Sequence, residues 1–131
     1  MKTLLPKAAF AWLQATPSAV FVDCRMEIEY LYVGRPPNVV HVPWYEYPEF
    51  EPNPAQFAAQ VLHQCEGDRA RPVLLLCRSA KRTLPAGAAL EAAGFTDVAQ
   101  VAYGFEGDMD AHFHRSTVNG WRFDGLPWEQ M

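Results

Sequence analysis

The aliphatic run Val73-Leu74-Leu75-Leu76 ends directly on Cys77, and Arg78, Ser79, Ala80, Lys81 and Arg82 follow before an alanine-rich stretch of helical character. That order sets a thiol at a helix N-terminus among fixed positive charges. Both influences stabilise thiolate over thiol, and the thiolate is the nucleophile. Packing is the competing reading, because free cysteine is among the most buried residue types. A packing cysteine gains nothing from this setting. Arg78, Lys81 and Arg82 are suited to draw in an anion, while Ser79 and Ala80 are small enough to let the backbone approach the sulfur.

A second apolar run, Ala19 to Val22, ends on Asp23-Cys24-Arg25. Asp23 and Arg25 either brace the cysteine loop by hydrogen bonding or cap the strand end and pair with Glu29. Thr83, at the start of the helix, is a further supporting residue. Cys24 follows a strand and is expected to face the core, with a resolving role toward Cys77 left open. Cys65, on an expected helix, reads as a bystander. His112 and His114 lie near Asp108 and Asp110, but the spacing matches no strong ligand signature, so surface or loop packing is expected and no metal.

These side chains need a scaffold that brings separate segments together. Val39 to Val42 is β-like and Val73 to Leu76 reads as a central strand. Asp97 to Val101 supplies another strand. Met26 to Tyr32 suits a short helix stopped by Gly34 and Pro36-Pro37. Asn53-Pro54 caps a helix running to about Gln64, and Arg82 to Ala93 forms one closed by Gly94. Trp44 to Pro54 is expected to be an aromatic, acidic surface loop, and residues 108–131 to be irregular. Trp121, Phe123 and Trp128 are expected to dock this tail on the core rather than wall a pocket. Strands alternating with helices imply an α/β fold, an open, mostly parallel sheet with helices on both faces. Ligands then sit beyond the carboxyl ends of the strands, where Cys77 falls.

The chain has 131 residues, half of them hydrophobic and a fifth charged, so one domain over 1–131 is expected. Its net charge of −4 argues against a nucleic-acid partner and makes the cationic loop a local feature. A small anionic substrate fits that feature better than a polyanion. Met1-Lys2 and the apolar residues after it superficially resemble a secretory leader, but Pro6 and Lys7 break the run, and a helix with Ala9, Phe10 and Leu13 on one face is expected instead. No stretch has the length to span a bilayer. Three cysteines at irregular spacing do not make a disulfide framework, which implies a reducing, cytoplasmic setting.

Cys77-Arg78-Ser79-Ala80-Lys81-Arg82-Thr83 resembles the Cys-Arg-Ser-Gly-x-Arg-Ser loop of the single-domain rhodanese sulfurtransferases. Val22-Asp23-Cys24-Arg25 is similar to that family's strand-end Asp-x-Arg, and Glu29-Tyr30 to its Glu-aromatic pair. Gly34, Pro37 and Pro43 match its segment of the same length. Ala88, Leu90, Gly94-Phe95 and Val98 align with its helix and next strand. Tyr103-Gly104-Phe105-Glu106-Gly107 stands where its Gly-Gly turn lies, and Gly125-Leu126-Pro127 looks like its closing Gly-x-Pro. The resemblance covers roughly residues 5 to 128 and implies transfer of sulfane sulfur through a persulfide on Cys77. It also implies a donor such as thiosulfate, a thiol or cyanide-like acceptor, a protein acceptor as a further candidate, and no cofactor. Three positions depart from the pattern. Ala80 replaces a glycine, and alanine at positive φ costs about 1 kcal/mol or more. Asn38 also replaces a glycine, but asparagine tolerates left-handed geometry. Arg35 replaces a histidine and adds a charge.

Two other readings share these residues. A cysteine phosphatase or arsenate reductase needs Cys-x-x-x-x-x-Arg, a loop that cups a tetrahedral oxyanion. Here Arg82 comes one residue too early and Thr83 takes the sixth position. A carrier or non-catalytic module that holds persulfide or binds a partner is the other. The aromatic-acidic segment Trp44-Tyr45-Glu46-Tyr47 offers such a module a surface, with a locally packed loop as the plainer explanation.

Overall fold

The computed structural model describes residues 1–131. Five strands form one sheet in the order β1-β5-β4-β2-β3: β1 (Lys2–Leu4), β2 (Val20–Asp23), β3 (Val40–His41), β4 (Val73–Leu76) and β5 (Val98–Val101). Every pairing between the strands is parallel, in line with the open, mostly parallel sheet expected. β2, β4 and β5 are buried at all their positions, as parallel strands covered on both faces must be.

Alternate residues feed two cores. Val20, Val22, Val73 and Leu75 pack with Phe57, Ala58 and Val61 of α2 (Pro54–Gln64) and with Ala86 and Leu90 of α3 (Thr83–Ala92). Phe21, Leu74, Leu76 and Val101 pack on the opposite face with Ala9 of α1 (Pro6–Ala15). The period-two alternation of a strand thus builds a three-layer arrangement from three short apolar runs. No helix is long and apolar enough to cross a membrane.

Local chemistry sets the ends as expected. Asn53 caps α2 by accepting from the Gln56 amide at 3.1 Å, with Pro54 in the first turn. The segment after β2 forms a π-helical turn, Glu29–Val33, closed by Gly34 at φ 112°. β1 is an element the residue pattern did not announce. Its three residues join the open edge of β5, and only the presence of that edge makes them a strand. The tail docks as expected through Trp121, which is 1% exposed, packs against Phe10 and Phe21, and donates from Nε1 to the Pro127 carbonyl at 2.8 Å. Phe123 remains half exposed.

Candidate functional site

β4 delivers Cys77 at its carboxyl end, and after five intervening residues the chain enters α3. No acidic side chain occupies the first turn of α3, and Arg82 at its N-cap makes no side-chain capping bond. The Cys77 sulfur takes that place, receiving the Thr83 backbone N–H. Ala80 adopts φ 68°, the left-handed geometry in which its missing glycine would be free of strain. Asn38 sits at φ 62°, where asparagine is well tolerated.

Five influences fix the charge of the sulfur. The Cys24 thiol, donating to Cys77, favours the thiolate most strongly. Burial opposes ionisation, but Cys24 together with the Thr83 amide and hydroxyl and the Arg82 charge outweighs it, bringing Cys77 down to about 5. Cys24 moves the other way: its bond to Cys77, its complete burial and the neighbouring Cys77 and Asp23 charges hold it well above the ordinary thiol range. The Thr83 hydroxyl lies 3.7 Å from Cys77 Sγ and donates to Gln100 Oε1 at 2.6 Å. Gln100 in turn reaches Thr3 Oγ1 at 3.1 Å. With one proton, the Thr83 hydroxyl accepts from a Cys77 thiol while bonding Gln100, and turns that proton to the sulfur once Cys77 is ionised.

Two ion pairs hold the surroundings. Asp23 and Arg25 are both fully buried; Arg25 donates from Nε at 2.9 Å and from Nη2 at 2.6 Å to the Asp23 carboxylate, and from Nη2 to the Gly34 carbonyl at 2.6 Å. Arg25 therefore does not pair with Glu29, correcting that alternative. Arg82 takes Glu29 instead, in a two-pronged contact of 2.6 and 2.9 Å. Burial works against ionised Glu29, but Arg82 prevails and holds the carboxyl below its usual range. The same pairing raises Arg82 against its own burial. A guanidinium expected to face a bound anion is thus engaged by a carboxylate of its own chain.

The turn after β5 buttresses the cysteine from behind. Phe105 donates its amide to the Cys77 carbonyl at 2.8 Å, and Glu106 to the Arg78 carbonyl at 3.0 Å. Gly104, at φ 69°, lies so close that a Cβ there would meet the Cys77 carbonyl oxygen at 2.5 Å. Phe105 also carries the Arg25 guanidinium on its ring face at 4.6 Å.

A cavity of about 270 Å³ opens beside the loop, with Met26, Tyr45, Arg78, Arg82, Glu106 and Arg115 among its walls. Arg78 and Lys81 are exposed, while Ser79 and Ala80 are partly covered. Tyr45 comes from the aromatic segment, which is not wholly a surface loop: Trp44 is buried edge-on against Phe57. The Arg82 guanidinium lies 5.5 Å from the Tyr45 ring centre. Arg35 stays away from the site, stacked on Tyr30 and paired with Glu129. The His112 and His114 amides both bond Asp110 in an exposed turn.

Tyr45, Gln100, Glu106 and Arg115 are the residues that the sequence reading did not assign to the site. Gln100 did carry a signal, as a lone polar residue inside an otherwise apolar strand. Arg115 carried none, because its approach depends on how the irregular tail folds back and bonds the Gly107 carbonyl at 2.7 Å.

The family model for the rhodanese-like domain matches residues 7–111. No curated protein matches the chain. Among solved structures, Rv0390 from M. tuberculosis is 36% identical with a TM-score of 0.85, the alignment covering all of this chain and 98% of the other. A thiosulfate sulfurtransferase from Pseudomonas aeruginosa shares the fold at 23% identity and a TM-score of 0.71; 99% of this chain aligns with a fifth (20%) of that one. A polysulfide-sulfur transferase from Wolinella succinogenes shares it at 24% identity and a TM-score of 0.65, with all of this chain aligned to 80% of that protein.

Proposed function

From the premise that this chain belongs to the rhodanese-like domain family, we propose that it is a sulfurtransferase that carries sulfane sulfur as a persulfide on Cys77. The observation that carries the reading is the place of Cys77 between the carboxyl end of β4 and the start of α3, with the Thr83 hydroxyl 3.7 Å from its sulfur, a setting that brings the thiol down to about 5. Such a thiol is ionised at neutral pH without a separate base.

The cycle has two steps. The Cys77 thiolate attacks the outer sulfur of a donor such as thiosulfate; the donor's S–S bond breaks, and sulfite leaves with the electron pair. Arg78 and Lys81, both exposed on the loop that follows the cysteine, favour approach of the dianion. The persulfide anion then inherits the helix N-terminus and the loop amides. A nucleophilic acceptor, a small thiol or cyanide-like molecule or a protein thiol, removes the outer sulfur and restores the thiolate. Asp23, Arg25 and Thr83 support the loop. Arg82 contributes charge through its pair with Glu29, and that engagement weighs against a phosphatase, which needs a free guanidinium on its oxyanion. Three unpaired cysteines suit a reducing, cytoplasmic setting.

The test is an intact-mass measurement after exposure to thiosulfate and again after cyanide. Wild type is expected to take one sulfur atom from thiosulfate, read as an added mass that cyanide removes or, where the protein itself passes the sulfur on, as released sulfide, while Cys77→Ser shows neither. Sulfur uptake by the serine variant would sink the assignment.

A further inference from the structure

Cys24 takes no sulfur in the two-step cycle, where it only steadies the Cys77 thiolate, yet the sheet sets it against Cys77. β2 and β4 pair in register through Asp23 opposite Leu76. The Cys24 amide continues the ladder to the Leu76 carbonyl at 2.9 Å. Cys24 and Cys77 are the next residue on each chain, and the pleat turns both toward the same core, where they pack in one cluster. Neighbouring strands lie about 4.8 Å apart, inside the Cα separation a disulfide requires, about 4.4 to 6.8 Å. Cys24 has no exposed surface and Cys77 only 1%. The strand pairing makes the sulfur arriving on Cys77 the reaction partner set beside Cys24.

We propose that Cys24 is a resolving thiol: it attacks the Cys77 persulfide, releases hydrosulfide and leaves a Cys24–Cys77 disulfide that a dithiol reductant reopens. This rests on the sulfurtransferase reading and names an acceptor class for it. The step balances within the site. A bond forms between Cys24 Sγ and Cys77 Sγ, and the bond from Cys77 Sγ to the outer sulfur breaks. Its electron pair departs on the outer sulfur, which takes the Cys24 proton and leaves as HS⁻. The sulfane sulfur is reduced and the two cysteines are oxidised, so no outside oxidant is needed. Burial and the adjoining anions keep that proton on Cys24 until the leaving sulfide can accept it. The dithiol then reduces the disulfide through two exchange steps and becomes oxidised itself. Cys65 makes the internal control: it is as buried as Cys24 but ends a helix, and it is not among the groups acting on Cys77.

The experiment is anaerobic, with reduced wild type, Cys24→Ala and Cys65→Ala each given thiosulfate, or inorganic polysulfide, and no external acceptor. After an acid quench, intact mass, peptide mapping and free sulfide are read. Wild type and Cys65→Ala are expected to end two hydrogens lighter, with a linked Cys24–Cys77 peptide. With thiosulfate each also releases one equivalent of sulfide. Cys24→Ala loses a donor to the Cys77 thiolate and is expected to load more slowly, but once loaded to accumulate the persulfide and, with thiosulfate, to release no sulfide. A stable persulfide on wild type overturns the inference and leaves the sulfurtransferase reading standing. No sulfur uptake from either donor by any of the three overturns both. Should Cys24→Ala fold poorly, the linked peptide in wild type decides alone.

Discussion

Cys65 and Cys77 are the same residue at the same depth, 0% and 1% exposed, and their thiols move in opposite directions. Cys65 closes α2, its amide bonded to the Val61 and Leu62 carbonyls, where the helix gathers negative partial charge. Burial is the chief influence there, and it pushes the thiol up. Cys77 precedes α3, with the Cys24 thiol, an amide and a hydroxyl directed at its sulfur, and it falls to about 5. Burial alone therefore decides nothing. Which end of a helix the sulfur meets, and how many donors face it, decides the chemistry.

The widest way to test this contrast is a thiolate absorbance titration. Wild type and Cys65→Ser are each expected to show a transition near pH 5, and Cys77→Ser is expected to lose it entirely. A transition surviving in Cys77→Ser would collapse the contrast. The same titration predicts how stability follows pH. Cys77 titrates lower in the folded chain than in the unfolded one, where a thiol ionises at about 8.5. Between those values the unfolded chain holds the extra proton, so stability rises with pH. The contribution is fully present above about 8.5 and is lost as pH falls through about 5. Denaturant midpoints of wild type against Cys77→Ser across that window check the sign.

A narrower change removes one donor. Thr83→Val keeps the amide at the helix start but loses the hydroxyl 3.7 Å from the sulfur. The Cys77 midpoint is expected to rise by about one unit, with Thr83→Ser restoring it. An unmoved midpoint would confine the hydroxyl to its bond with Gln100. The smallest effect is expected from the loop backbone. Ala80 at φ 68° is replaceable by glycine without a Cβ penalty, so Ala80→Gly should stabilise the fold by at most ~1 kcal/mol. The thiolate midpoint should stay where it is, while turnover rises. A lower melting temperature would show that the alanine sits there without strain.

Much of the scaffold was legible because its cues are local. β4, the ends of α2 and the helix behind Cys77 follow from aliphatic runs, an Asn-Pro cap and an alanine-rich stretch. β1 was not legible, since three mixed residues become a strand only by meeting an open edge. Arg115 and Tyr45 reach the cavity from segments without periodicity. The partners of the charged residues were equally hidden: Asp23 with Arg25 and Glu29 with Arg82 satisfy the same composition as other pairings would.

The chain by itself determined that a cysteine would end a buried strand and open a helix, because strand pattern, short loop and helix start lie within a few residues of one another. It also determined the positive charge beside that cysteine. Only the tertiary structure decided what the charges do and which thiol Cys77 meets. Arg82 crosses to a glutamate 53 positions away, and Cys24 faces Cys77 because two strands distant in sequence pair in one register. Pairing between distant segments is fixed by packing and hydrogen-bond satisfaction over the whole fold, which no local pattern encodes.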